Sequence, residues 1–136
     1  MAEDKEERVR FATNEIIGKG NLDVVGDVFA TTYLAHLGEK EAKGPQFVKW
    51  LVGQLRNAFP DLEIVEIKPL IQEENTIAWR RTLSGTHEME LMGIPPRGRK
   101  VEWRDMLVTR FDGEKIAEDW VVSDLAGGLL SLPPRA

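Results

Sequence analysis

The order of apolar and polar positions divides the chain into a helical first part and a strand-rich second part. In residues 5–17, apolar side chains recur three and four positions apart with charges between them, which predicts an amphipathic helix. Gly18 and Gly20 end this helix, and Asn21 is suited to cap a short second one. The second helix is predicted from three apolar residues on one face, Leu22, Val25 and Phe29.

A loop containing Tyr33 and His36 is predicted next, followed by a third helix that starts at Gly44-Pro45. Proline fits the first turn of a helix, where a backbone N–H has no intrahelical partner. Pro60-Asp61 ends the helix. Its buried stripe is predicted to consist of Phe47, Trp50, Leu51, Leu55 and Ala58.

Beyond this helix the apolar pattern changes from helical spacing to alternation, which predicts a sheet. Four strands are predicted, at residues 62–71, 76–90, 99–111 and 114–123. Asp112-Gly113 predicts a hairpin turn, because both residue types tolerate positive φ. Residues 124–136 are predicted to form a short apolar turn or helix. This order predicts one α+β domain over residues 1–136, with helices packed on one face of a strongly curved antiparallel sheet.

Alternation also assigns side chains to the two faces of each strand. A mixture of apolar and polar residues on one face is expected where a bent sheet encloses a pocket that is part core and part polar site. On the third predicted strand, one face carries Trp103, Asp105, Leu107, Thr109 and Phe111. On the fourth, one face carries Ile116, Glu118, Trp120, Val122 and Asp124.

The composition limits the classes of protein to which the chain can belong. At 136 residues, 42% of them hydrophobic, the chain is long enough to form a core. A net charge of −5 argues against nucleic-acid or membrane-surface binding, because phosphate affinity is carried mostly by Lys and Arg. Two histidines without a cysteine or a clear third ligand predict no metal site. Since no secretory signal or membrane-spanning run is found, we expect a cytoplasmic protein without nucleic-acid or membrane partners.

Three residues are candidates for acid–base catalysis. Asp124 ends the fourth strand on the face of Trp120, and desolvation beside tryptophan raises the pKa of a carboxyl group. The alternative role of Asp124 is to cap the terminal helix. His36 and His87 are the two histidines of the chain, so imidazole chemistry would fall to one of them. The alternative for each histidine is a structural bond to a loop carbonyl.

Seven further residues are candidates for binding a hydrophobic small molecule. The four tryptophans are many for this length, although each alone is typical of a core. Arg80 and Arg104 lie in mid-strand and need partners when buried, for which Glu118 and Asp105 are the candidates. The predicted substrate-binding residues are Tyr33, Trp50, Trp79, Arg80, Met106, Glu118 and Trp120.

Four blocks of the sequence resemble the SnoaL-like polyketide cyclases, also called ester cyclases, of the NTF2-like superfamily. The blocks are FPDL at 59–62, SGTH at 84–87, GIPPRGRKVEW at 93–103 and RFDGEKIAEDW with a following aspartate at 110–124. The resemblance implies a cone-shaped α+β barrel with a deep apolar pocket, associated as a dimer or tetramer. It also implies an intramolecular aldol condensation without metal or cofactor, in which an aspartate moves protons.

The same resemblance implies roles for individual positions. Asp124 matches the family's aspartate, and the chain departs from the family pattern at Val121, where many members have a second aspartate. The usual PPTG loop is PPRG, with Arg97, and Glu88 replaces the small residue after GTH. These departures indicate a different substrate on the same scaffold. The other positions that the family pattern favours are His36, Arg80, His87, Glu118 and Trp120.

The sequence is therefore compatible with three functions. The first is cofactor-independent, aldol-type cyclisation or isomerisation of a hydrophobic polyketide-like carbonyl compound. In it, Asp124 removes a C–H proton, and His36 or His87 bonds the enolate oxygen. The second is non-catalytic binding of a small molecule, which Val121 favours. The third is hydrolysis of an apolar substrate by an activated water.

Overall fold

Helices pack on one face of a six-stranded sheet. The computed structural model describes residues 2–132, and the side chains of residues 5–132. Helix α1 spans Ala2–Ala12 and continues as a π-helical segment, Thr13–Gly18. After a short 3₁₀ turn come α2, Val25–Val28, and α3, Pro45–Ala58, and the last helix, α4, spans Leu125–Leu130. The predicted α+β class is confirmed.

The sheet has the strand order β2-β1-β6-β5-β4-β3. All neighbours are antiparallel except β1 and β6, which run parallel. The four predicted strands correspond to β3–β6, although β4 ends at Thr86 instead of residue 90. The predicted hairpin turn joins β5 and β6, and Gly113 there has a positive φ of 61°. The six strands are β1 Phe29–Leu37, β2 Lys40–Lys43, β3 Glu63–Glu73, β4 Thr76–Thr86, β5 Lys100–Asp112 and β6 Lys115–Ser123.

The loop predicted around Tyr33 and His36 is wrong, because both residues lie on β1. Tyr33 and Ala35 are buried, while the residues between and after them are partly exposed. This alternation covers only part of the strand, because the register with β6 shifts between Phe29 and Leu34. The alternation in β1 was therefore too short to predict a strand from the sequence.

A bulge in β6 reverses the predicted faces of that strand. Phe111 pairs with Ile116, whereas Arg110 pairs with Glu118, so that Ala117 is an extra residue. Ile116 and Ala117 are both buried, and the predicted common face of Ile116 and Glu118 is wrong. After the bulge, Asp119 is buried and Val121 partly buried on the inner side, and the residues between and after them, Trp120 and Val122, are exposed. On β5 the predicted face is confirmed, since all five of its residues are buried.

The core lies between the inner face of the sheet and the helices. Helix α3 contributes Val48, Val52, Leu55 and Ala58, whose spacing follows one helical face. Trp50 points away from this face and is 50% exposed, so its place in the predicted buried stripe is wrong.

The predicted short apolar helix after β6 is present as α4. It packs against β5 through two buried leucines, Leu125 and Leu129. Residues 133–136, the end of the predicted tail, lie outside the described residues. Within the part of the chain that is described, no helix is long and apolar enough to cross a bilayer.

Candidate functional site

A cavity lies between the inner face of the sheet, the π-helical segment and α3. Its volume is about 80 Å³, and most of its lining is apolar. This is smaller than the roughly 300–1,000 Å³ typical of pockets for drug-sized ligands. The charged and hydroxyl-bearing residues of the lining are Thr13, Tyr33, Arg81, Thr109 and Asp119.

Four apolar residues mark the side on which the cavity opens. Leu37, at the end of β1, and Phe47 and Leu51, on α3, line the cavity and are partly exposed. Val121, on β6, has the same property. The mouth therefore lies between α3 and the carboxyl ends of β1 and β6.

Asp119 is the carboxylate of the cavity. It is only 6% exposed, and its two oxygens are each held by a hydroxyl group. Tyr33 donates to Oδ2 at 2.7 Å, and Thr109 donates to Oδ1 at 2.5 Å. The Thr109 oxygen in turn accepts a bond of 2.9 Å from Nε1 of Trp79. Three strands, β1, β4 and β5, thus fix the orientation of a side chain on β6.

Burial raises the pKa of the Asp119 carboxyl group above its ordinary value. The hydrogen bonds from Thr109 and Tyr33 and the charge of Arg81 oppose this effect but do not cancel it. Burial also raises the pKa of Tyr33, and the negative charge of Asp119 adds to the rise. The carboxylate is therefore a stronger base than an exposed aspartate, beside a phenol that keeps its proton.

Arg81 brings a positive charge to the cavity. Its Nε donates to Oδ2 of Asp105 at 2.8 Å, and both side chains are largely buried. The guanidinium carbon lies 5.6 Å from the centre of the Trp79 ring, within the range of a cation–π contact. The sequence predicted Arg80 or Arg104 as the partner of Asp105, whereas β4 and β5 pair in a register that places Arg81 opposite it.

The sequence model of the family described as SnoaL-like polyketide cyclase matches residues 7–132, nearly the whole chain. This chain belongs to that family. No curated protein sequence matches the chain.

Solved structures place this SnoaL-like chain in the NTF2-like fold, as predicted. A proposed SnoaL-like polyketide cyclase from Jannaschia sp. CCS1 is 20% identical, with a TM-score of 0.83 over 97% of this chain and 95% of that chain. A SnoaL-like polyketide cyclase from Agrobacterium tumefaciens str. C58 is 19% identical, with a TM-score of 0.71 over 87% and 90%. AclR, a proposed hydroxylase from Streptomyces galilaeus, is 29% identical, with a TM-score of 0.72 over 96% and 89%.

Of the ten predicted site residues of this SnoaL-like chain, Tyr33 and Trp79 line the cavity. Three others meet on the outer face of the sheet. His36 stacks on Trp120 with ring centres 4.9 Å apart, and its Nε2 lies 2.6 Å from Glu118. The bond to His36 holds the pKa of the Glu118 carboxyl below its usual value. The bulge in β6 explains why Glu118 and Trp120 face away from the cavity.

Asp124 also lies outside the cavity. It is exposed at the start of α4, and its Oδ1 accepts a hydrogen bond of 2.8 Å from the backbone N–H of Arg104. It makes no side-chain bond to the first turn of α4, so its alternative role as a side-chain cap is not formed either. The position is instead a link between the end of β6 and β5.

His87 is fully buried and does not line the cavity. Its ring stacks on Phe59 at 5.3 Å, and its Nδ1 accepts a bond of 3.2 Å from the backbone N–H of Arg97. Burial lowers the pKa of this imidazole, and the charge of Arg97 lowers it further. Its Nε2 is buried and makes no hydrogen bond to any described residue.

The remaining predicted residues lie on outer surfaces. Arg80 pairs with Glu66 at 3.1 Å on the outer face of the sheet. Met106 is 45% exposed on the same face, and Trp50 lies on the outer side of α3. Within the described part of the chain, no group of three His, Cys, Asp or Glu side chains is placed to hold a metal ion.

Sequence reasoning did not single out Asp119, Arg81, Thr109 or Thr13 as site residues. The alternation in β5 correctly predicts the face of Thr109, so this residue could have been proposed for the site. Asp119 could not, because its face depends on the bulge at Ala117, and alternation along β6 does not reveal a bulge.

Proposed function

We propose that the chain catalyses cofactor-independent acid–base cyclisation or isomerisation of a compact hydrophobic carbonyl compound. The observation that carries this proposal is the buried carboxyl group of Asp119, which lines an apolar cavity and has a raised pKa. A base is most effective when its pKa approaches the working pH, and burial moves an aspartate in that direction.

In the proposed reaction, the carboxylate of Asp119 removes a proton from a carbon next to a carbonyl group. The electron pair of that C–H bond moves to the carbonyl oxygen and forms an enolate. The enolate carbon then forms a C–C bond with a second carbonyl carbon of the same molecule, and the resulting alkoxide takes the proton back from Asp119. Substrate and product are isomers, so no co-reactant is consumed.

Tyr33 and Thr109 are proposed as positioning residues for this base. Each holds one oxygen of Asp119, so the carboxylate cannot turn away from the cavity without breaking a hydrogen bond. Orientation of a reacting group in advance lowers the entropic part of the barrier. The predicted catalytic roles of Asp124, His36 and His87 are not retained in this proposal, because none of the three lines the cavity.

The volume of the cavity supports a compact substrate. A multi-ring polyketide needs more than about 80 Å³, and its entry would require α3 to move away from the sheet. We therefore propose a substrate of about one ring, which enters at the mouth beside Leu37 and Phe47.

Deuterium exchange tests this function without knowledge of the natural substrate. A panel of small cyclic ketones and hydrophobic β-keto esters is incubated in D₂O, and loss of the α-proton signal is followed by NMR. We expect the wild-type protein to exchange at least one compound about 10²-fold faster than Asp119→Asn, the lower end of the contribution of a positioned base. The matched control is Glu118→Gln, a neighbouring carboxylate on the outer face, which should retain the wild-type rate.

Non-catalytic binding is the second candidate, because Val121 contributes an apolar side chain to the cavity. Binding of the panel compounds, seen as quenching of tryptophan fluorescence, without any exchange would overturn the catalytic proposal in favour of this one. Hydroxylation, the activity proposed for AclR, adds one oxygen atom to the product. Mass spectrometry separates it from cyclisation, which leaves the mass unchanged.

We also propose that the outer face of the sheet binds a second copy of the chain. An outer apolar patch there consists of two cross-strand pairs, Met106 with Val122 and Val108 with Trp120, with exposures from 38% to 71%. Ion pairs that contain both signs of charge flank the patch, at Arg110–Glu118 and Arg104–Glu102. A twofold axis through such a patch brings acidic groups of one copy to basic groups of the other.

A further inference from the structure

We propose that Arg81 binds the carbonyl oxygen of the substrate and stabilises the negative charge that this oxygen gains during the reaction. The inference rests on the proposed function, for which it names a second catalytic group. It also defines a class of ligands for the cavity: planar compounds of about one ring with an oxygen that carries or develops negative charge.

The guanidinium group of Arg81 has N–H donors that bond to no described residue. An arginine has five N–H donors, and the Nε–H of Arg81 is used by Asp105. For its terminal nitrogens, no hydrogen bond is found within residues 5–132. Because Arg81 lines the cavity, these donors are available to a ligand inside it.

Thr13 is a second polar group of the cavity without a partner. Its Oγ1 is buried and makes no hydrogen bond to any described residue. The residue is 1% exposed and begins the π-helical segment, a helix type that is frequent at functional sites. Buried polar groups are nearly always hydrogen-bonded, so an unsatisfied hydroxyl and an underused guanidinium in one cavity indicate that the ligand supplies an acceptor.

The sheet register separates Arg81 from Asp119 by the length of a small ligand. Arg81 pairs with Asp105, and Asp119 pairs with Thr109, four residues further along β5. Four residues of strand span roughly 13 Å between backbones, a distance that the arginine side chain partly bridges. Three residues that are neighbours across the strands form the floor of the cavity between these two pairs: Trp79, Leu107 and Val121.

The charges of the cavity suit a reaction that moves one negative charge from Asp119 to the substrate. Asp105 compensates Arg81, and the ionised Asp119 carries the further negative charge. Proton transfer to Asp119 removes this charge from the carboxylate and places it on the substrate oxygen, where Arg81 attracts it. Such attraction is stronger in a dry cavity than in water, and preorganised charges need no rearrangement at the moment of reaction.

The probe for this inference is 4-nitrophenol, a planar compound of one ring whose ionised form has its own visible absorption band. It is bound to Asp119→Asn, because the neutral amide mimics the protonated Asp119 that faces an enolate. We expect the bound phenol to ionise roughly one to two pKa units below its value in water, the shift that a charge-assisted hydrogen bond supports.

The decisive variant adds Arg81→Gln and Asp105→Asn to Asp119→Asn. Removing the cation together with its buried partner avoids an uncompensated buried charge, which would itself destabilise the protein. We expect the shift to vanish. The matched control adds Arg80→Gln to Asp119→Asn instead. Arg80 is the adjacent residue on the outer face, so the full shift should remain.

Two results would overturn the inference: no shift in Asp119→Asn, or a full shift that persists without Arg81. The deuterium-exchange experiment tests the proposed function independently of this inference. Exchange that depends on Asp119 but not on Arg81 leaves the function standing and rejects Arg81 as the oxygen-binding group. Absence of exchange alongside a phenol shift that requires Arg81 rejects the function and leaves an anion-binding cavity.

Discussion

The hydroxyl group of Tyr33 donates a hydrogen bond of 2.7 Å to Oδ2 of Asp119, inside the cavity. The two residues lie 86 positions apart and are brought together by the parallel pairing of β1 with β6. On the other side of the carboxylate, Thr109 makes the matching bond. The orientation and proton affinity of Asp119 therefore depend on two hydroxyl groups from separate strands.

Replacing Tyr33 by Phe should raise the pKa of Asp119 further, because the lost hydrogen bond is one of those that lower it. The pKa is read from the carboxyl carbon resonance of Asp119, titrated by NMR in the wild-type protein and in Tyr33→Phe. The free energy of unfolding should fall by about 1 kcal/mol, the net value of a typical hydrogen bond. Thr32→Val, at an exposed site of β1, is the control. A lower or unchanged pKa in Tyr33→Phe would contradict the role of this bond.

The raised pKa of Asp119 should make the protein less stable as the pH rises. The folded protein keeps a proton that the unfolded chain, with an ordinary value of 3.8, has released. The unfolded state therefore binds fewer protons, and the free energy of unfolding decreases from that value up to the folded pKa. Relative to the wild-type protein, Asp119→Asn should gain stability as the pH rises above about 4. Urea unfolding at several pH values measures the difference, and a difference independent of pH would refute the shift.

His87 should have the opposite dependence. Burial lowers its pKa below the ordinary 6.5, so the unfolded chain binds a proton before the folded protein does. Stability is then present above that value and is lost as the pH falls below it toward the folded pKa. His87→Phe keeps the stacking on Phe59 and removes the titration. Its melting temperature should change less than that of the wild-type protein between about pH 7 and pH 5. Equal losses in the two proteins would show that other groups cause the change.

The fold was largely accessible from the sequence because its signals are local. The helices, β3 to β6 and the turn at Asp112-Gly113 follow from periodicity and turn chemistry over short stretches. The face of β5 that carries Thr109 was correct for the same reason. By contrast, burial alternates over only part of β1, so the sequence around Tyr33 predicts a loop instead of a strand.

Most of the site residues were not predicted, because one extra residue in β6 reverses which side chains face the cavity. Without the bulge at Ala117, Glu118, Trp120 and Asp124 would share the inner face with Ile116, as predicted. The bulge adds one position, and every later side chain moves to the opposite face. Asp119 therefore becomes the cavity carboxylate. Such a bulge depends on packing against β1 and β5, which alternation along β6 does not report.

The outer apolar patch should hold two copies of the chain together. Val122→Glu places a charge at its most exposed member, which is 71% accessible, so the fold should tolerate the change. Burial of an unpaired charge opposes association, and the mass measured by light scattering should fall from that of an oligomer to that of a monomer. Phe11→Glu is the control, since Phe11 is 50% exposed on α1, on the opposite side of the sheet from the patch. A monomeric wild-type protein would reject the pairing.

A carboxylate moved from position 119 to position 121 should restore part of the lost proton transfer. Val121 follows Asp119 on the inner side of β6 and lines the same cavity. In Asp119→Asn/Val121→Asp, the new carboxylate faces the cavity without the bonds from Tyr33 and Thr109. We expect deuterium exchange about tenfold above Asp119→Asn but below the wild-type rate, because an unpositioned base contributes less. The control is Asp119→Asn/Val122→Asp, whose carboxylate faces outward. Equal recovery in both double variants would mean that proton transfer does not occur in the cavity.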